Sequence, residues 1–298
     1  MVPTRDRPER LLWCLEALAA LRYSLGRFEV IVVNDGGTMP VPERLAALSQ
    51  RMELRVVTQD SAGPAGARNR GAREARGEYL AFTDDDCAPM PNWLTALDDA
   101  FRDVPDALVG GRTVNHLDSN LYSEASQLLI EYLYRYYDGQ DRGARFFASN
   151  NLAVSAAAFR DLQGFDSSFP RAAAEDRDLC ARWHFARRRF NYAPDAVVRH
   201  AHALSLAAFA RQHFGYGRGA YQYWVRHARR RGQKLRIEPV SFYTGLIGFP
   251  FRRCGGRRRA VAMGVLMGLS QVVNAVGFFW EWRATGVSPC WAPNRGAP

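Results

Sequence analysis

Short β-branched runs alternate with helical stretches through the first hundred residues, and this alternation restricts the fold more than any other feature. "FEVIVVND" (28–35) has the pattern of a buried strand and is closed by the turn residues "DGG". "LRVVTQ" (54–59) and "EYLAFTDDD" (78–86) repeat that pattern. Between and around them, "PERLLWCLEALAAL" (8–21), "GPAGARNRGAREARG" (63–77) and "NWLTALDDAFRD" (92–103) have helical spacing, with Leu11, Leu12, Leu15 and Leu18 on one face of the first. Strand–helix alternation predicts an α/β fold with a mostly parallel central sheet flanked by helices. Ligands of such sheets bind beyond the carboxyl ends of the strands. That rule places Asp35 and Asp84–Asp86 along one edge. A strand should also precede "PTRDRP" to partner helix 8–21. Only Met1 and Val2 stand before it, so the strand is very short or the start lies upstream.

The middle of the chain is mixed. "LYSEASQLLIEYLYRYYDG" (121–139) reads as an aromatic-rich helix, and "FFASNNLAVSAAAFRDLQGFD" (146–166) as a strand followed by a short helix. A helix over 172–190 opens with Glu175 and Asp176, where carboxylates suit the dipole. A strand over 193–205 ends at His200, and His200 and His202 are expected on opposite faces.

Three adjacent carboxylates after an apolar run repel one another and call for a positive partner. A hard divalent cation such as Mn²⁺ or Mg²⁺ is one, since it takes one or two protein carboxylates together with phosphate oxygens. A solvated acidic turn or a helix cap is the plainer reading of the same three letters. Asp35 could equally form only an Asx-turn, and Glu175 and Asp176 could be only helix-end charges. Arg68, near a helix start, is placed to meet a phosphate or an acidic partner. HExxH, GxSxG, Walker and GxGxxG motifs are absent.

Charge is localised. The chain carries a net +10, and 13 of its Lys and Arg fall between Arg211 and Arg259 against one acidic residue, Glu238. Such a block attracts nucleic acid or anionic lipid. Its neighbour decides: Ala260–Trp280 is 21 residues without a charge, about 31 Å as a helix, with Gly264 and Gly268 in GxxxG spacing. That combination favours a membrane surface over nucleic acid. The alternatives are a helix packed on the rest of the protein and a homodimer seam. The five scattered cysteines fit a reducing cytoplasm, and "MVPTRDRPER" has no signal-peptide character.

In order along residues 2 to 221, "VPTRDRPERLLWCLEAL", "VIVVNDGG", "GPAGARNRGAREARGEYLAFTDDD" and "NNLAVSAAAFRDLQGFD…AEDRDLCARW" resemble the family 2 glycosyltransferases of the glycosyltransferase-A fold. The resemblance implies an inverting, metal-dependent transfer of sugar from a nucleoside-diphosphate sugar, a UDP-sugar foremost, to a hydroxyl on a glycan or lipid-linked acceptor. Thr4, Arg7 and Asp35 would contact base and ribose, and Arg68 the nucleotide. Asp84 and Asp86 would form the DxD-type motif, with Asp84 and Asp85 on the nucleotide sugar and Asp86, Asp84 and His200 about a Mn²⁺ or Mg²⁺ ion, Asp86 foremost. Asp176 would be the catalytic base. Asn34 stands where many members carry a second Asp. The layout implied is a catalytic domain over 1–222, with a nucleotide-sugar half to about 115 and an acceptor half beyond. A basic and apolar helical extension over 223–298 would hold it at the cytoplasmic face of a membrane. A sugar-nucleotide pyrophosphorylase would share the sheet and the metal, but would carry a glycine-rich loop that "PTRDRP" lacks. A non-catalytic binder of anionic lipid or nucleic acid is the reading from another class.

Overall fold

The structure is a computed structural model, and it describes residues 1–40, 42–137, 146–169, 173–231 and 238–287. It divides into two compact units, Met1–His116 with Asp141–His202, and Leu117–Gln140 with Ala203–Pro298.

The first unit holds the sheets. β1 (Val2–Thr4), β2 (Val30–Asp35) and β3 (Leu54–Gln59) form a parallel sheet in the order β1-β2-β3. Register sets Thr4 beside Asn34 and Asp35 beside Gln59, so the polar residues share the carboxyl edge. β1 is thus a three-residue strand, the short form expected from sequence. All six residues of β2 are buried, as a strand covered on both faces must be. α1 (Pro8–Ala19) buries Leu11, Leu12, Leu15 and Leu18, and Pro8 opens it where no intrahelical N–H is needed. α2 (Pro42–Ser49) and α3 (Gly63–Glu74) complete the crossovers.

The second sheet departs from a purely parallel pattern. Its order is β4-β7-β6-β8-β5, comprising β4 (Tyr79–Phe82), β5 (Cys87–Pro89), β6 (Leu108–Asn115), β7 (Leu152–Ser155) and β8 (Phe190–His200). β6 and β8 pair in parallel, whereas β4–β7, β6–β7 and β5–β8 are antiparallel. The Met1 nitrogen donates to Ala81 O (3.0 Å) and the Thr83 N–H to Met1 O (3.1 Å), which joins β1 to the β4 segment. The run expected as one strand over 78–86 is a strand only over Tyr79–Phe82; the aspartates lie in the turn after it, and β5 follows them. α4 (Trp93–Asp103) packs on β8 and β6 of this sheet, α6 (Ala156–Asp161) follows β7, and α7 (Glu175–Phe185) precedes β8.

The second unit is helical: α5 (Leu121–Tyr137), α8 (Leu206–Arg231), α9 (Val240–Gly248) and α10 (Arg257–Thr285). Residues 222 and 223, the boundary expected from sequence, lie inside α8. Tyr132, Phe209, Phe242, Leu246, Met263 and Met267 form its core. α10 packs chiefly on α8. Gly264 of the GxxxG pair meets the Ile247 carbonyl of α9 and Gly268 meets no neighbour, so the close helix contact uses other glycines, Gly217 and Gly277.

Candidate active site

The Cys87 N–H donates to Asp84 O (3.1 Å), which closes Asp84–Cys87 into a tight turn between β4 and β5. The turn sends its three carboxylates to different partners. Asp85 is buried and accepts from Thr4 Oγ1 at 2.7 Å and Arg7 Nη1 at 3.0 Å. Burial pushes its carboxyl up to about 6, against the charge of Arg7 and the bond from Thr4. Asp86 lies 3.2 Å from His200 Nε2 and 3.4 Å from each of Arg7 and Arg10. Burial opposes its ionisation. The hydrogen bond and charge of His200, with Arg7, outweigh that and hold its carboxyl well below the ordinary range. Asp84 accepts from Arg68 Nη2 at 2.6 Å.

Arg68 is buried on α3, and its other nitrogen, Nη1, donates to Glu175 at 3.1 Å. One guanidinium therefore ties the aspartate turn to the first residue of α7. Asn69, its neighbour, clamps the loop after α6 by donating to Phe165 O at 2.7 Å and accepting from Phe165 N at 2.9 Å. α7 is fixed from the other side. Its fully buried Asp178 pairs with Arg182 at 2.6 Å, and Arg182 also donates to Leu162 O and Gly164 O.

Asp176 follows Glu175. Its carboxylate accepts from Ser149 N at 3.3 Å and Arg177 N at 2.8 Å. The packing around it raises its carboxyl well above the ordinary range, and the Glu175 charge adds to that. The two amide bonds and Arg68 work against the rise. The residue before this pair, Ala174, is left-handed at φ 92°, a conformation that costs a non-glycine residue energy.

Asp35 is buried and uses both carboxylate oxygens. It accepts from Ala62 N (2.7 Å), Gly63 N (2.9 Å) and Gln59 Nε2 (2.8 Å), so it holds the start of α3. Asn34 bridges the following turn: its amide donates to Gly37 O and accepts from Gly37 N, both at 2.8 Å. A second aspartate could not donate the first of these bonds. Gly37 has no room for a Cβ, because the Asp6 backbone nitrogen and Arg5 Cα lie against it.

His200 and His202 do not point apart. Their rings stack at 4.0 Å with an interplanar angle of 16°. Residues two apart along an extended chain share a face, so the expectation of opposite faces misapplied the alternation, although β8 itself ends at His200. Among the described residues, Asp86, Cys87 and His200 are the cluster with metal-ligand spacing, their ligand atoms within 4.8 Å of one another. The Cys87 thiol is pushed far up by burial and stays protonated. The usable donors are a carboxylate and an imidazole, which fit a divalent cation of the Mn²⁺ type better than a thiolate-seeking one.

Two bonded groups, Thr4, Asp85, Arg7, Asp86 and His200 in one and Asp84, Arg68 and Glu175 in the other, thus meet at the aspartate turn, and Asp176 follows Glu175 in the chain. Asp35 stands apart from these bonds, at the α3 start. Arg10 and Asn69 were missed from sequence, and Glu175 was singled out beside Asp176 but not as a partner of Arg68. Arg10 looks like any solvated helix residue, and Glu175 shares its first-turn position with Asp176.

The sequence pattern of "Glycosyl transferase family 2" matches residues 1–162. The chain belongs to that family. Its matched segment is a glycosyltransferase domain. A pre-mycofactocin glycosyltransferase of Mycobacterium tuberculosis is 31% identical over 236 residues, 76% of this chain and 47% of that protein. The validoxylamine A glucosyltransferase of Streptomyces hygroscopicus subsp. jinggangensis is 28% identical over 212 residues, 62% of this chain and 50% of that protein. The family 2 chain therefore spans about half the length of these curated relatives. Among solved structures, a mannosyltransferase from Pyrobaculum calidifontis in complex with GDP-Man and Mn²⁺ aligns with a TM-score of 0.63 at 16% identity, over 94% of this chain and 86% of that one. S. aureus TarS 1–349 in complex with UDP-GlcNAc aligns at 0.52 and 15%, over 96% and 90%. The fold is the glycosyltransferase-A fold.

Proposed function

We propose that this chain transfers a glycosyl group from a nucleoside-diphosphate sugar to a hydroxyl acceptor, with inversion at the anomeric carbon. The observation that carries the reading is Arg68, which reaches Asp84 of the aspartate turn with one nitrogen and Glu175, beside Asp176, with the other. A donor-side acid cluster and a carboxylate of raised proton affinity thereby share one framework.

Asp86 and His200 would hold a divalent cation, Mn²⁺ or Mg²⁺, with Asp84 beside them. The ion would supply charge neutralisation at the diphosphate leaving group. Arg7 and Arg10, half-exposed and resting on Asp86, are free to turn toward diphosphate oxygens once that carboxylate is engaged. Thr4 and Arg7 fix Asp85, which keeps the turn in place. Asp35 holds the α3 start on the edge where base and ribose would lie. Asp176 takes the proton from the acceptor hydroxyl as its oxygen attacks. The packing that raises its proton affinity suits it to general-base work near neutral pH. One displacement suffices, and no glycosyl-enzyme intermediate is required.

UDP-sugars are the first donors to test, with GDP-sugars beside them. A glycan or lipid-linked acceptor at the cytoplasmic face of a membrane suits the basic and apolar C-terminal helices. A screen of nucleotide sugars for hydrolysis and transfer with Mn²⁺ or Mg²⁺ tests the reading, and the anomeric configuration of the product tests inversion. Asp86→Ala should abolish cation-dependent binding of the nucleoside diphosphate by calorimetry. Unchanged affinity in that variant removes the cation assignment.

A further inference from the structure

α10 has two faces. One closes onto α8: a Cβ on Gly217 would collide with the Asn274 carbonyl oxygen, and one on Gly277 with that of Phe214. Buried Glu281 pairs there with Arg218 and accepts from Gln222. The other face is apolar and open. Val261, Val265, Leu269, Val272, Val276 and Trp280 recur at three- and four-residue spacing and are exposed, Val265 by 65% and Trp280 by 60%. Soluble surfaces rarely leave so continuous an apolar stripe uncovered. Arg258 and Arg283, both exposed, lie on the same stripe by that spacing, one at each end. Roughly 38 Å of helix separates them.

We propose that α10 lies in the plane of an anionic lipid surface, with this stripe sunk into the headgroup and upper acyl region and Arg258 and Arg283 on the headgroups. It does not cross the bilayer. A crossing over 260–280 would carry the part of α8 that packs on Asn274 and Gly277 into hydrocarbon, or strip α10 from α8 and expose Ser270 and Asn274 to lipid. The charges also select lipid over a second copy. A twofold pairing along the stripe sets Arg258 against Arg283 when antiparallel, and each arginine against its own copy when parallel. Glu281, the single acidic residue of α10, is buried and already paired, so it cannot offset them. An anionic surface meets every cation favourably, and the long arginine stems reach the headgroups from a sunken helix. The inference deepens the membrane placement proposed above. Its test reads binding alone, so it fails or stands separately from glycosyl transfer.

The full-length chain is sedimented with vesicles of phosphatidylcholine, alone and mixed with phosphatidylglycerol. Binding to the mixed vesicles is expected, and Val265→Glu with Val276→Glu should weaken it on the order of tenfold or more while circular dichroism stays unchanged. Arg258→Glu with Arg283→Glu should remove the preference for phosphatidylglycerol, on the order of tenfold. The fluorescence quenching that Leu269→Trp adds, at the middle of the uncharged run, should be strongest with bromines high on the acyl chain. The proposal is overturned if the wild type stays in the supernatant or if the two-valine variant binds as before. It is equally overturned by deepest quenching at the bilayer centre, which means a span, and by light scattering that shows the two-valine variant turning a dimer into a monomer, which means a second copy.

Discussion

Replacing Arg68 by methionine removes the cation that ties the aspartate turn to α7 and keeps most of its volume. The Arg68 side chain is 5% exposed, Glu175 6% and Asp84 28%. Breaking a buried ion pair by removing one partner costs about 3–5 kcal/mol, chiefly because the charge left behind is stranded. Here the Glu175 arm is fully buried and bears that cost. The Asp84 arm is partly wet and bears less. The sum expected for Arg68→Met is about 3–4 kcal/mol, read as a lowered midpoint in urea with an unchanged slope. Arg68→Met with Glu175→Gln leaves no stranded buried charge, so it should recover about 2 kcal/mol of that loss. The catalytic readout is separate. Arg68 lowers the proton affinity of Asp176, so its removal should move the acid limb of the pH–rate profile to higher pH. A loss under about 1 kcal/mol, or no recovery in the double variant, refutes the stranded-charge reasoning. An unmoved acid limb refutes the electrical link to Asp176.

Two further predictions follow from α7. A base must be ionised to act, and the Asp176 carboxyl is raised, so transfer should fall as pH drops through a value well above that of an ordinary carboxylate. Asp176→Asn should abolish that limb and cost ~10²–10⁴ in turnover while donor affinity by calorimetry holds; retained turnover would move the base elsewhere, to Glu175 first. Ala174→Gly relieves a left-handed backbone, so it should raise stability by about 1 kcal/mol in urea. A decrease would mean that the Ala174 methyl contributes more by packing than it costs in strain.

Much of the fold was legible because it is local. β2 and β3 are readable from β-branched runs bounded by turn residues, and β3 matches its expected limits residue for residue. α1 and α4 follow from leucine spacing and from the apolar face of Trp93, Leu97 and Phe101. The second sheet was less legible. β5 is a three-residue strand formed only because β8 lies alongside, with Cys87 paired to His200. No pattern within 87–89 announces it. The stacking of His200 on His202 was legible and was misread: residues two apart on an extended chain share a face.

The site shows where residue type stops and pairing begins. Three adjacent aspartates announce a need for positive charge, but not which charge meets which carboxylate. The fold distributes them: Asp84 to Arg68, Asp85 to Arg7 and Thr4, Asp86 to Arg7, Arg10 and His200. The sequence separation between Arg68 and Glu175 is 107 residues, so no local rule could join them. Yet the proposed chemistry rests on this contact, because it brings the aspartate turn and the start of α7 under one cation. The same limit explains α10. An uncharged run of 21 residues reads as a span by composition. Only the packing shows that Gly277, Ser270 and Glu281 are committed to the protein, which leaves one stripe and two arginines to meet a surface. Composition sets what a segment can tolerate. The neighbours on its other face decide what it does.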